Sequence, residues 1–362
     1  MTDASTDLAT RFEPKEYAIL TADPQVFAAR FHPSGKLLAA GGFDGRVRLW
    51  DLSTEEPKEL PALTGHNGWI QAIAFSPDGQ RLYAGDSWGK LSAWDMSGGE
   101  PQLAWSLDGA HDGWLRDLDV NADGSRLVTC GRDRVVRIWT TVDGAPLLEF
   151  RGHDTDVYSA RFHPQQPFVV SGDDRGLVKQ WSATDARVVR EFDASVLYLE
   201  HRLQDVGGVR TLAFDRMGGQ LAVGGTIPKN GATVQGTPSI LMFDFETGEL
   251  THTLNLGDAN HCFVHEIILH EEGFVMAVTS GTPGQGQVVF RRPGDEQPFF
   301  TTSKLSNCHS IHLHEPSGRL AVVATNRGSN GNGRQLGKDG EYAGNNSPIH
   351  LFRIAAALME RS

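Results

Sequence analysis

Residues 65–79 read GHNGWIQAIAFSPDG, and residues 89–95 read GKLSAWD. The run I-Q-A-I-A-F is a partly alternating apolar stretch, and S-P-D-G is the composition of a tight turn. The second run is a short apolar stretch entered from a turn and ending in Trp-Asp. Together they read as strands linked by turns. The phrase recurs on both sides. GRVRLWD fills 45–51, RVVRIWT fills 134–140 and GLVKQWS fills 176–182. GAHDGWLRDLDVNADG at 109–124 and GHDTDVYSARFHP at 152–164 repeat its opening. Trp50, Trp94, Trp139 and Trp181 are spaced by 44, 45 and 42 residues, the length of one four-stranded unit. Weaker copies follow around Phe243 (SILMFDF), Phe290 (QVVFRR) and Phe352 (SPIHLFRI), where spacings of 62, 47 and 62 indicate insertions. A single four-stranded unit cannot bury both of its faces. Units stacked in a closed ring can.

Seven ordered copies of this kind resemble the WD40 (WD-repeat) family, from about Lys15 to Ile354. The resemblance implies an all-β fold. That fold is a seven-bladed β-propeller of four-stranded antiparallel blades, with the ring closed by an N-terminal strand. EYAIL at Glu16–Leu20 precedes the first full unit, and the last unit ends at HLFRI, so Glu16–Leu20 is expected beside His350–Ile354. The expected organisation is a flexible tail over 1–14, one propeller over 15–354 and a C-terminal tail over 355–362.

Composition narrows the partners. The net charge of −12 and the absence of a clustered basic run disfavour nucleic acid and anionic membranes. Cys130, Cys262 and Cys308 match no zinc spacing and are odd in number, which fits free thiols in a reducing compartment. The N-terminus has no apolar signal core, and no stretch of 18 apolar residues occurs. These signals point to a cytoplasmic protein that is monomeric by itself.

The resemblance also implies one buried hydrogen-bonded chain per blade, running through a His, a Ser or Thr, an Asp and the Trp. The third unit supplies the whole set as His111, Thr129, Asp133 and Trp139. The other units are expected to depart from it. The first has Asp44 and Trp50 but Ala22 or Asp23 in place of His. The second has His66 with Trp88 at the Asp position. The fourth has His153 with Arg175 there and Asp174 one step early. Such a set recurs once per blade, so it reads as structure rather than as a catalytic triad.

In antiparallel blades, connections into the first strand and between the second and third strands share one face, called the top here. Four insertions fall on it, at 195–206, 226–239, 281–287 and 326–348. Function concentrates on loops held by a rigid scaffold. The resemblance places Phe27, Trp69, Gln71, Trp114, Arg116, Asp156, Tyr158, Arg210, His265 and His309 at the top rim, with Phe43, Arg132 and Asp174 in the neighbouring ring. Trp, Tyr and Arg dominate binding hot spots. These residues are therefore expected to hold a protein or peptide partner. Aligning HCFVHE (261–266) with CHSIHLHE (308–315) brings His265 over His309, near Cys262 and Cys308. That grouping gives the rival reading, a metal-dependent hydrolase-like site in blades six and seven. No close ligand pair has a structural-zinc spacing, and no nucleophile motif or carboxylate pair accompanies it. The Gly/Asn-rich segment 326–347 lacks the Lys-Ser/Thr ending of a phosphate loop and reads as a surface loop. The expectation is accordingly a non-enzymatic scaffold without metal or cofactor.

Overall fold

The seven runs of the I-A-F type become the innermost strands: Val26–Phe31, Ile70–Phe75, Leu115–Val120, Val157–Phe162, Val209–Phe214, Phe263–His270 and Ser306–His314. The computed structural model describes residues 4–201, 204–230, 235–281, 284–325 and 346–354. Each innermost strand opens a four-stranded antiparallel sheet. The innermost strands touch in a circle, the seventh meeting the first. The fold is a seven-bladed β-propeller.

Neighbouring innermost strands belong to separate sheets, so their backbone donors need other partners. Side chains of the adjacent blade supply them. Ala29 and Phe31 donate to Ser310 Oγ and His312 Nδ1 at 3.3 and 3.2 Å. Ala160 and Phe162 donate to Asp117 and Asp119 at 3.3 and 2.9 Å. Leu212 donates to Ser159 Oγ at 3.2 Å, and Ile311 to Glu266 at 2.8 Å. Apolar burial follows the same logic. Among the described residues each hydrophobic cluster joins two adjacent blades, as where Leu38 and Trp50 pack with Val323 and Leu351. Trp181 is 1% exposed; burying a side chain of that size contributes roughly 3 kcal/mol.

Closure occurs where the sequence places it. Strand β1, Pro14–Ala22, runs antiparallel to Ser347–Ile354, with Pro14 opposite Ile354 and Ala22 opposite Ser347. The expected tail over 1–14 differs from what is found. Helix α1, Ala4–Arg11, docks below blades six and seven. Leu8 and Phe12, one helical turn apart, are 1% and 3% exposed within a cluster that includes Phe274 and Ile354. Arg11 bonds both oxygens of Glu272 at 2.9 and 2.5 Å. Two apolar residues make too short a pattern to announce a helix, and the packing surface beneath them creates it.

Two of the four top insertions are built on β structure. Tyr198–His201 and Gln204–Gly207 form a hairpin. Gln220–Asn230 and Gln235–Asp244 extend blade five upward as a longer one. Leu197 and Ile227 join the two through one apolar cluster. Of the other two insertions, 282–283 and 326–345 lie outside the described residues, as does the C-terminal tail 355–362.

Candidate functional site

The top rim is set by a repeated backbone bond. Phe43, Ser87, Arg132 and Asp174 donate their amides to the carbonyls of Gln25, Trp69, Trp114 and Asp156 at 2.9, 2.9, 2.9 and 3.1 Å. This bond holds the start of each second strand's turn beside the start of its first strand. The expected rim residues therefore assemble into a continuous belt. Phe27 stacks on Phe43 at 4.2 Å between centroids, Phe43 meets Trp69 at 4.9 Å, and Trp69 meets Trp114 edge-on at 5.7 Å. From there guanidinium groups alternate with rings. Arg116 lies 4.3 Å from Trp114 and 4.5 Å from Tyr158. Arg210 lies 4.2 Å from Tyr158 and 5.0 Å from Phe263. The belt ends at His265 and His309, whose rings are 5.1 Å apart.

Each guanidinium is pinned as well as stacked. Arg116 bonds Asp156 at 3.1 Å, and Arg210 donates to the Gly207 carbonyl at 3.2 Å. Asp174 accepts the Thr155 hydroxyl at 2.5 Å, and burial pushes its carboxyl upward. Gln71 lies within the rim with its amide oxygen buried and unbonded among the described residues. Trp69 remains 42% exposed at the centre of the aromatic arc. Arg132 is exposed and stands apart from the stacks. Two rim residues were not foreseen. Phe263 terminates the ladder, and Trp88, read in sequence as a network position, is 67% exposed on a top turn. The recurring Trp69-x-Gln71 and Trp114-x-Arg116 spacing, carried to Phe263-x-His265, is the signal that reaches Phe263.

The histidine side is polar but uncharged near neutrality. Burial, with His309 and Arg210 nearby, holds His265 well below its usual range, and burial takes His309 down to about 4. His265 Nε2 lies 2.5 Å from Ser280 Oγ. Burial pushes the Cys308 thiol up to about 12, away from the thiolate that a metal would require. Among the described residues no group of three or more His, Cys, Asp or Glu is placed to hold a metal ion.

The buried network corrects the sequence reading. The third blade has the expected set: His111 meets Asp133 at 2.9 Å and Thr129 at 2.8 Å, and Trp139 Nε1 donates to Thr129 at 2.8 Å. The fourth blade is equally complete. His153 meets Asp173 at 2.7 Å and Ser171 at 2.7 Å, and Trp181 Nε1 donates to Ser171 at 2.7 Å. Neither Arg175 nor Asp174 takes the acid's place. In the second blade Asp86, not the position of Trp88, meets His66 at 2.9 Å. Asp86 and Asp173 pair with Ile70 and Val157, as Gly131 pairs with Leu115. They reach the imidazole from the strand end, whereas Asp133 reaches it from the turn. Two registers deliver one contact. In the third blade burial alone would raise Asp133, but bonds from His111 and Arg137 hold it far below the carboxylate range. The first blade has no imidazole at the network position; Arg48 bonds Asp44 at 2.9 Å and also the Asp23 carbonyl.

The WD40 family (WD domain, G-beta repeat) matches residues 15–51, 57–95, 102–140 and 144–182, each stretch running from the outer strand of one blade through the three inner strands of the next, up to blade four. The chain is a WD40 β-propeller. Its relatives include the guanine nucleotide-binding protein subunit beta of Zea mays, 34% identical over 220 residues, which are 58% of this chain and 57% of that protein. Subunit I of eukaryotic translation initiation factor 3 from Saccharomyces cerevisiae is 23% identical over 57% of this chain and 55% of its own length. Protein HIR1 of Phaeosphaeria nodorum is 27% identical over half of this chain, a stretch that spans 19% of that protein. The WD40 propeller is in general a protein-interaction scaffold, and its structural networks recur here at the positions just described. No helix among the described residues is long and apolar enough to cross a membrane.

Proposed function

We propose that this WD40 propeller is a non-enzymatic platform that holds a protein or peptide partner against its top rim. The observation that carries the reading is the belt from Phe27 to His309, in which rings and guanidinium groups are fixed before any partner arrives. Preordered aromatic and Arg side chains lose little rotamer freedom on binding and so contribute most of an interface's affinity. Trp69 and Trp114 are the central anchors, Arg116, Tyr158 and Arg210 the polar arm, and Phe43, Gln71, Arg132, His265 and His309 the flanks. The two top hairpins of blade five form a wall beside Arg210. The acidic charge of −12 directs the reading to protein rather than nucleic acid or membrane, with the propeller acting as a monomer in the cytoplasm.

The test is affinity capture with the parent and a Trp69→Ala/Trp114→Ala variant, each checked for an unchanged melting curve. Proteins captured by the parent should bind the variant at least about 30-fold more weakly, the effect of losing a hot spot. A partner retained equally by both would remove the rim from the account.

A further inference from the structure

The lower half of the central channel is a separate chamber of about 480 Å³, within the size range of small-molecule sites. Its lining runs from Ile73 and Leu118 down to Pro33 and Pro77 of the bottom turns, and no residue of the top belt contributes to it. The chamber therefore opens on the face opposite the proposed partner site. Ala74 and Ala213 stand where Arg30, Asp119, Arg161 and His312 stand in other blades, and their short side chains leave the space.

The charges around this space do not balance. Arg30 is engaged by Glu266 at 2.5 Å and Arg161 by Asp117. Asp119 is a third carboxylate facing these two guanidinium groups, and it makes no ion pair among the described residues. It accepts the Phe162 amide at 2.9 Å. Burial pushes its carboxyl upward, and the pull of Arg161 nearby offsets that only in part. His312 cannot supply one, because burial, with Arg30 and His314 nearby, takes it down to about 3. Phe31, Phe75 and Phe214 add aromatic wall, and rings attract cations as carboxylates do.

We infer that this chamber is a binding site for a small organic cation, an alkylammonium whose charge meets Asp119 and whose hydrocarbon part lies along the phenylalanine wall. The probe is butylammonium, titrated by calorimetry into the full chain beside butanol and butyrate of equal length. One saturable site with a Kd of about a millimolar is expected for butylammonium, with butanol and butyrate at least about tenfold weaker. Asp119→Asn keeps an acceptor for the Phe162 amide and should weaken butylammonium about tenfold. Ala74→Leu fills the space and should abolish the site while Asp119 stays in place. Equal binding of butylammonium and butanol overturns the inference. So does preference for butyrate, or binding that survives Ala74→Leu.

Discussion

Blades three and four and blades five to seven solve one packing problem in opposite ways. In blades three and four a Trp donates to a hydroxyl, Thr129 or Ser171, which in turn meets a His held by an Asp. In blades five to seven the ring is Phe243, Phe290 or Phe352. The residues matching the hydroxyls are Val223, Val278 and Val322, opposite Leu241, Val288 and His350. Donor and acceptor have been lost together. Replacing both halves of a buried hydrogen bond with apolar groups of similar shape is nearly neutral, whereas removing one half is costly. The two sectors are thus alternative solutions, neither of which strands one half of the bond.

The largest test removes the strand on which the apolar sector depends. Deleting residues 1–22 strips β1 and α1 from blade seven and should cost more than about 5 kcal/mol, lowering the melting temperature by roughly 10 °C or more. An unchanged melting curve would show that the ring does not need its N-terminal strand. Acid comes next. The imidazoles of His309 and His312 are neutral in the fold, with pKa values lowered to about 4 and about 3 by burial. Unfolded histidine takes up its proton near pH 6.5. Stability from these residues is therefore complete above that pH and declines as the pH falls toward 4 and 3, by roughly 3 kcal/mol for His309 and roughly 4 kcal/mol for His312. Hydrogen exchange at pH 4.5 should open blade seven before blade four, and simultaneous opening would contradict the comparison. Thr129→Val removes the partner of both His111 Nε2 and Trp139 Nε1, and about 2–3 kcal/mol should be lost in urea unfolding. The converse, Val223→Thr, buries a hydroxyl among apolar neighbours and should cost about 1–2 kcal/mol. A neutral result for either would mean that the sectors are not distinguished by this pair. The smallest effect separates blade two from blade four. His66 Nε2 has no partner among the described residues, because Ala84 stands where Ser171 stands in blade four. His153→Ala should therefore exceed His66→Ala by about 1 kcal/mol in the same assay.

The ring was legible because its signal is periodic. Trp50, Trp94, Trp139 and Trp181 mark one structural place, and the closing strand follows from a last unit that lacks a partner. What escaped was local geometry. Counting back from Trp finds Asp133, but Asp86 and Asp173 sit two residues farther from their Trp and reach the same ring atom from the strand end. Helix α1 escaped because Leu8 and Phe12 are apolar enough to dock but too few to show periodicity. Most residues of the top belt are named by their place in the repeat, but Phe263 and the belt's continuity are not. Linear order does not disclose that Arg116 and Arg210 would lie between rings contributed by three different blades.

The pairing of Pro14 with Ile354 has a consequence for synthesis. The closing strand leaves the ribosome before the rest of the ring, and the strand it must join leaves after six blades have been made. Until then Ser347–Ile354 is missing from between β1 and Arg319–Thr325, and both present unpaired edges. Closing so long a loop is entropically slow, and bare edges invite wrong neighbours. A nascent chain of this protein therefore has a late, all-or-none moment of vulnerability, and a chaperone that shields strand edges would act on it before the final blade is made.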